Sequence, residues 1–125
     1  MPKPLIACVP GSFHRPSAWD AVAEPLRNQG FKVILPPLAT SATTEAAQDI
    51  AGKTSLDDVS LIHEHLLPLL EQGEEAVVVS HSYGSLPATL AVEGHTVQER
   101  RARGLKGGIS ALVVIAGFAF PVHGK

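Results

Sequence analysis

One stretch of the sequence combines residue types that could carry out nucleophilic chemistry. Ser82 stands in the run Ser-His-Ser-Tyr-Gly-Ser, after the short apolar run Ala76–Val79 and before residues with helical spacing. A serine on a sharp turn between a strand and a helix is held in a strained backbone position, with its hydroxyl exposed at the edge of a sheet. Small residues two positions before and after it, here Ser80 and Gly84, leave room for such a turn. The pattern therefore predicts Ser82 as a nucleophile.

A nucleophilic serine of this kind needs N–H groups that stabilise the oxyanion formed during the reaction. The helix expected after the serine directs its free N–H groups and the positive end of its dipole at the reaction centre, so the N–H of Tyr83 is one candidate donor. A second donor is expected from the loop after the first apolar run, where Gly11 allows a tight turn. The N–H of Ser12 or Phe13 would point inward there, and His14 either lines the pocket or packs beside it.

The surrounding sequence alternates short apolar runs with helical stretches. The apolar runs are rich in β-branched residues and nearly unbroken, which is typical of strands buried on both faces of a parallel sheet. Connections of more than ten residues separate them, as parallel strands require. We therefore predict an α/β fold, with a mostly parallel sheet flanked by helices. The predicted strands are Leu5–Val9, Phe31–Leu35, Ala76–Val79 and Ala111–Ala116. The predicted helices are Ser17–Asn28, Ser55–Gln72 and a third that starts after Ser82 and reaches about Glu93.

Signals at the ends of these segments support the assignment. Ser17 is expected to cap the first helix and Gly30 to follow its last residue. Ser55 and Asp58 have the spacing of a capping box at the start of the second helix. Residues 36–54 are polar and rich in small residues, which predicts a loop with a short helical piece near residues 45–50. Residues 95–108 are also expected to be irregular.

Composition and charge exclude several other classes of protein. The 125 residues fit one domain, and a hydrophobic fraction of 45% is ordinary for a globular protein. A formal charge of −2 gives no general attraction to nucleic acid or to an anionic membrane. The basic cluster in residues 100–106 has no interleaved aromatic residue, so a solvated loop explains it better than a nucleic-acid site.

Metal sites and membrane segments are not expected either. Cys8 is the single cysteine, which rules out an intrachain disulfide and a zinc site built from several thiolates. His63 and His65 lie two residues apart and would not share a helix face. No apolar run reaches the ~18 residues of a membrane-spanning helix, and no targeting signal is seen. We expect no cofactor or metal, no nucleic-acid or membrane partner, and by default a cytoplasmic protein.

These motifs together resemble the α/β-hydrolase family, in its branch of small esterases, methylesterases and hydroxynitrile-lyase-like proteins. Members have a strand, then His-Gly-(small)-(aromatic)-His and a helix carrying Trp; a later strand ends in Gly-His-Ser-(Tyr or Leu)-Gly-Gly. Residues of this chain match most of both patterns: Gly11, Phe13, His14, Trp19 and His81–Gly84. Pro10, Ser80 and Ser85 depart from them. The segment Val113–Pro121 resembles the next core strand and its exit.

The resemblance implies a strand order of second, first, third and fourth in the present numbering, which places the fourth strand on an edge. It also implies a catalytic Asp and then a catalytic His, both after that strand. We therefore expect residues 1–125 to form a truncated hydrolase domain without the lid, the last strands, the acid and the base. His81 should point away from the nucleophile, and His123 follows the wrong strand, so both are poor substitutes for the base.

The leading interpretation is a serine esterase that acts on a small-molecule ester or related carbonyl compound. Ser82 would attack the carbonyl, and the N–H groups of Tyr83 and Ser12 would hold the oxyanion. The short chain alone is expected to be inactive or nearly so. Two alternatives remain: a non-catalytic α/β module, and a hydroxynitrile-lyase-like reaction at the same serine. Self-association through the exposed edge strand Ala111–Ala116 is a further expectation.

Overall fold

The strands of the chain form one four-stranded sheet in which the neighbouring strands run parallel. The computed structural model describes residues 3–11, 16–40 and 52–117. The spatial order is β2-β1-β3-β4, and the strands are β1 (Leu5–Val9), β2 (Val33–Ile34), β3 (Glu75–His81) and β4 (Gly108–Ile115). The predicted α/β class, the parallel sheet and the predicted strand order are confirmed.

Helices cover both faces of the sheet, as long crossover connections between parallel strands require. Two of the helices are preceded by a 3-10 turn, Pro16–Trp19 before the first and Ser82–Gly84 before the third. The helices are α1 (Asp20–Asn28), α2 (Ser55–Glu71), α3 (Ser85–Val92) and α4 (Val97–Ala102).

Strand β1 is buried along its whole length because it lies between two layers of helices. Its odd-numbered residues belong to a core cluster with α2 and α3, and its even-numbered residues pack against α1 and the turn before it. Strand β3 alternates in the same way: Val78 packs with α2 and α3, whereas Val79 packs against the α1 side. This alternation decides on which side of the sheet the residues at the end of β3 lie.

The start of α1 differs from the sequence prediction. Ser17 lies inside the 3-10 turn rather than at a helix cap, and the residue before α1 is Trp19, which makes no side-chain capping bond. Trp19 is instead buried against β1, so packing of the large ring rather than a polar cap fixes where the helix begins. The predicted helix stop is confirmed, since Gly30 has a φ of 92°.

The capping box of α2 is displaced by one residue from the predicted one. Thr54 is the residue before the helix, and its backbone N–H donates to the Asp57 carboxylate at 2.8 Å. The pair Ser55 and Asp58 therefore does not cap the helix, and Asp58 points into the protein interior. The helical piece predicted near residues 45–50 lies outside the described residues.

Helix α4 occupies part of the segment that was expected to be irregular. Thr96 and Glu99 form a capping box at its start: the Glu99 N–H donates to Thr96 Oγ1 at 3.1 Å, and the Thr96 N–H donates to the Glu99 carboxylate at 3.3 Å. The Thr-x-x-Glu spacing is a helix-start signature in the sequence itself. The prediction was wrong because only six residues follow the cap, too few for a hydrophobic period to show.

Strand β4 forms one edge of the sheet. Its pairing with β3 contains an irregularity between Ala76 and Val77. Near its end, Val113 is 42% exposed and Ile115 is 46% exposed, so apolar side chains face solvent there. In the described residues, no helix combines the length and apolar character needed to cross a membrane.

Candidate active site

The turn at the end of β3 has the geometry that the sequence pattern predicts. β3 ends at His81, and the next residue, Ser82, has a φ of 52°, in the left-handed region. A non-glycine residue held there costs ~1–3 kcal/mol, which the surrounding packing must supply. The 3-10 turn then leads directly into α3, so the half-buried Ser82 side chain lies where the strand ends and the helical residues begin.

Gly84 allows this turn to lie directly against strand β1. A Cβ atom at Gly84 would be 2.3 Å from the carbonyl oxygen of Pro10 and 3.0 Å from that of Val9. Both neighbours are backbone atoms at the end of β1, which have little freedom to move away. The close contact therefore places the start of the loop after β1 next to the turn that carries Ser82. Ser12, Phe13 and His14, predicted for the oxyanion hole and the pocket, lie outside the described residues.

The two serines that replace family glycines are accommodated by specific contacts. Ser80 is fully buried, and its hydroxyl donates to the carbonyl of Val113 on the neighbouring strand at 3.2 Å. Ser85 is also fully buried, at the start of α3. A Cβ atom at Gly117 would be 2.8 Å from Ser85 Oγ, so the glycine after β4 leaves the space that the serine side chain occupies.

Tyr83 is held by a hydrogen bond that the sequence analysis did not foresee. Its phenol donates to the carboxylate of Asp58 on α2 at 2.7 Å, and its ring packs against the core formed with α2 and α3. Burial, and then the hydrogen bond to Asp58, raise the pKa of Tyr83 above its ordinary value of 10.0. The residue whose N–H is the candidate oxyanion donor is therefore fixed through its side chain.

Asp58 is fully buried and accepts two further hydrogen bonds. The backbone N–H of Thr40 donates to one carboxylate oxygen at 2.8 Å, and the Thr40 hydroxyl donates to the other at 2.8 Å. One sequence signal could have revealed this residue. Asp58 occupies the same helical stripe as Ile62 and Leu66, which are also buried, so a charged side chain stands on the apolar face of α2.

A cavity of about 360 Å³ lies at the same edge of the sheet, on the α1 side. Strand alternation places His81 on that side, since Val79, two residues earlier, packs against α1. The residues that line the cavity come from the segment after β1, from the ends of β3 and β4, and from α1 and the turn before it: Pro10, Gly11, Ala18, Trp19, Val22, His81 and Ile115.

Three imidazoles have described contacts far from the role of a catalytic base. His63 donates through Nε2 to the carbonyl of Ala91 at 2.8 Å, and the ring of His95 packs edge-on against it with centroids 4.8 Å apart. His65 donates through Nδ1 to the carbonyl of Leu61 in its own helix at 2.9 Å. His14 and His123 lie outside the described residues. A base for Ser82 is therefore not identified among the three.

Other nucleophile and metal candidates can be placed as well. Cys8 is fully buried on the α1 side of β1, and burial raises the pKa of its thiol to about 11, which makes it an inert core residue. Within residues 3–11, 16–40 and 52–117, no group of three or more His, Cys, Asp or Glu side chains is arranged to hold a metal ion.

Comparison with known proteins defines the class that this fold and site represent. The family described as "Alpha/beta hydrolase family" matches residues 6–124. The match extends over nearly the whole chain and includes the first strand, the Ser82 turn and β4. The chain therefore belongs to the α/β-hydrolase family.

Individual relatives agree with this assignment. The protein named "Probable hydrolase R7" from a Phoma species is 35% identical over 92 residues, which cover 74% of this chain and 36% of that protein. "Norfluorocurarine synthase 1" from a Strychnos species is 33% identical over 91 residues, which cover 68% of this chain and 31% of that protein. The chain thus spans about a third of the length of these two relatives.

Solved structures show the same fold. The crystal structure of tomato methylketone synthase I complexed with 2-tridecanone superposes with a TM-score of 0.69 at 23% identity. The alignment covers all of this chain and 44% of that structure. The four parallel strands and the flanking helices therefore correspond to part of a larger α/β-hydrolase fold.

Proposed function

We propose that this chain carries the nucleophile and part of the oxyanion hole of a serine hydrolase that acts on a small ester or a related carbonyl compound. The observation that carries the proposal is the backbone of Ser82, which has a φ of 52° at the carboxyl end of a central strand. Strained residues of this kind cluster at functional sites, where the surrounding structure supports their cost. Family membership adds that the Ser-x-Gly turn after this strand is where such a nucleophile is found.

The chemistry proceeds by acyl transfer through the serine. Ser82 Oγ attacks the carbonyl carbon, a C–O bond forms, and the carbonyl electron pair moves onto oxygen. The N–H of Tyr83 stabilises that oxyanion, together with the N–H of Ser12 or Phe13. When the oxyanion collapses, the alcohol leaves with a proton and Ser82 remains acylated. Attack by water on the acyl group then releases the acid and restores the hydroxyl.

The proton of Ser82 requires a general base, which we assign to a histidine beyond the described residues. The contacts of His63, His65 and His95 commit them elsewhere, and the family places the base after the acid, later in the chain. A serine without its base is a weak nucleophile. We therefore expect the 125-residue polypeptide by itself to turn over esters slowly.

A second candidate function uses the same serine without hydrolysis. One relative is named a synthase, and one structural neighbour is a synthase solved with a ketone, so members of this fold are not all named for ester cleavage. In this candidate the oxyanion donors would stabilise a carbonyl oxygen while a different bond of the substrate breaks. Ester hydrolysis that depends on Ser82 would favour the first candidate over this one.

The test is covalent labelling of the 125-residue chain with a fluorophosphonate at mildly alkaline pH. Ser82 Oγ would displace fluoride at phosphorus, forming an O–P bond while hydroxide takes the serine proton, and the oxyanion donors would stabilise the phosphoryl oxygen. We expect slow but selective modification of Ser82, located by peptide mass spectrometry, and none at position 82 in Ser82→Ala. Ser60→Ala is the matched control, because Ser60 is an exposed helix serine. Modification spread over surface serines, with Ser82 unmodified, would reject the proposal.

A further inference from the structure

A buried carboxylate on α2 is directly connected to the residue that follows the nucleophile. Asp58 is fully buried and takes no part in the proposed acyl transfer. Its carboxylate accepts hydrogen bonds from the phenol of Tyr83 at 2.7 Å and from both the N–H and the hydroxyl of Thr40 at 2.8 Å. Three donors satisfy a group that would otherwise be costly to bury.

We propose that Asp58 is a positioning residue for the oxyanion hole: by holding the Tyr83 phenol, it fixes the backbone N–H of Tyr83 beside Ser82. The inference rests on the proposed function for the use of that N–H, but the positioning itself is a structural claim. The geometry fits because the turn is held at two successive residues, Tyr83 and Gly84. Gly84 is pressed against the backbone of Pro10, and the Tyr83 ring is anchored to α2.

The location of Asp58 on α2 explains why a carboxylate is suited to this task. Asp58 is in the first turn of α2, where the helix dipole favours a negative charge. The neighbouring Asp57 already satisfies the Thr54 N–H at the helix start, so Asp58 is not needed as a cap. A hydrogen bond from a phenol to a carboxylate is also stronger than one between neutral groups, and it restricts both torsions of the tyrosine side chain.

Asp58 also connects the turn to a third part of the fold. Thr40 ends the described segment that follows β2, and Leu38 in that segment is buried in the core with α2 and α3. The carboxylate thus joins α2, the segment after β2 and the Ser82 turn at one point. A change at Asp58 should be transmitted to Tyr83 without altering the sheet.

The composition of the chain allows a direct test, because Tyr83 is its only tyrosine. In a chain labelled with [15N]tyrosine, the NMR spectrum contains one labelled backbone amide resonance, that of Tyr83, the proposed oxyanion donor. The absorbance of the phenol as a function of pH likewise reports the titration of Tyr83 alone. In the wild type the pKa of the phenol should lie above the ordinary tyrosine value of 10.0, because burial and the Asp58 hydrogen bond both raise it. Asp58→Asn should lower that pKa, shift and broaden the amide resonance, and slow fluorophosphonate labelling of Ser82 by about tenfold to a hundredfold.

Asp57→Asn is the matched control, since it makes the same chemical change one residue earlier in the same helix. It should weaken the helix cap but leave the tyrosine amide resonance and the phenol titration as in the wild type.

If Asp58 only stabilised α2, both variants would lower stability and neither would move the Tyr83 signals, and the proposal would be wrong. A wild-type phenol that titrates at an ordinary pKa would also overturn it, even if Asp58→Asn failed to fold. Unselective labelling in the wild type would reject the proposed function alone, because the two Tyr83 signals do not depend on Ser82 chemistry.

Discussion

Ser82 and Ala116 are the two non-glycine residues with positive φ in the part of the chain that the structure describes. They follow the last residues of the neighbouring strands β3 and β4, whose ends pair His81 with Ile115. Strain at a single residue persists only where the surrounding structure holds the residue in place. For Ser82 those contacts are the close approach of Gly84 to β1 and the anchoring of Tyr83 by Asp58.

Gly84→Ala should disrupt this turn. The added Cβ would meet backbone oxygens of Pro10 and Val9, which cannot rotate away, so we expect a loss of ~1–3 kcal/mol in the free energy of unfolding. Selective labelling of Ser82 should be lost with it. Urea denaturation and fluorophosphonate labelling measure the two effects.

Gly104→Ala provides the comparison for that variant. Gly104 has a φ of 75° and open space around its Cβ position. Alanine there should therefore lower the free energy of unfolding only through its unfavourable backbone conformation, without a steric clash. It should lower stability while Ser82 is labelled at the wild-type rate. Equal labelling in Gly84→Ala and in the wild type would show that contact with β1 does not shape the site.

At the scale of elements, the sequence predicted most of what positions the site. The three strands around the turn were visible as apolar runs. The Ser-x-Gly turn was recognised from its small residues and from its place between an apolar run and a helical stretch. Two features were not predicted from the sequence, because neither produces a periodic pattern of apolar residues. Helix α4 is too short to show a stripe, and the role of Asp58 depends on Thr40 and Tyr83, which are 18 and 25 residues away in sequence. Local patterns do not report such long-range partners.

The junction between α3 and α4 should make stability dependent on pH. Burial, then the charges of His63, Arg100 and Arg103, lower the pKa of His95 below its ordinary value of 6.5, against a smaller raising effect of Glu99. The folded chain therefore binds this proton less readily than the unfolded chain does. Stability from this group is complete above pH 6.5 and is lost as the pH falls below it. The midpoint of urea denaturation should be lower at pH 5.5 than at pH 7.5.

Substitution of this histidine should reduce that dependence. His95→Gln cannot take up a proton, so its denaturation midpoint should change less between the two pH values than that of the wild type. His65→Gln is the control, since His65 is an exposed helix residue and its loss should leave the dependence in place. The same pH dependence in His95→Gln and the wild type would assign the effect to another group.

Edge strand β4 should promote self-association of the 125-residue chain. Gly108–Ile115 contains no charged residue or proline, and both Val113 and Ile115 are more than 40% exposed. Unprotected edges of this kind pair with other strands.

Sedimentation at micromolar concentration should show dimers or larger species for the wild type, and fewer of these species for Val113→Lys. Leu56→Lys, at an exposed apolar position on α2, should associate like the wild type. A wild-type chain that sediments as a monomer would contradict the expectation.

For the whole molecule, the site lies at the carboxyl edge of the parallel sheet, where open α/β folds bind ligands. The segment directly after β1 and the last residues of β3 and β4 contribute to the cavity at that edge. The parts that we propose for catalysis are Ser82, with its positive φ, the N–H of Tyr83 and the Asp58 carboxylate that holds the Tyr83 phenol. The family match over residues 6–124 explains why these parts occur in this order along the chain.

Our main proposal is that Ser82 is a nucleophile and that none of the six histidines in residues 1–125 is its base. It is tested most directly by the ratio of wild-type to Ser82→Ala rates of p-nitrophenyl acetate hydrolysis, measured in two polypeptides. In the 125-residue chain the ratio should be below about tenfold, which corresponds to less than ~1.4 kcal/mol of barrier. In a chain extended through the family's Asp and His, it should rise by several orders of magnitude, up to ~10⁶, because nucleophile and base act as a unit. A large ratio in the short chain would show that one of its own histidines is the base, and a ratio near one in the extended chain would show that Ser82 is not the nucleophile.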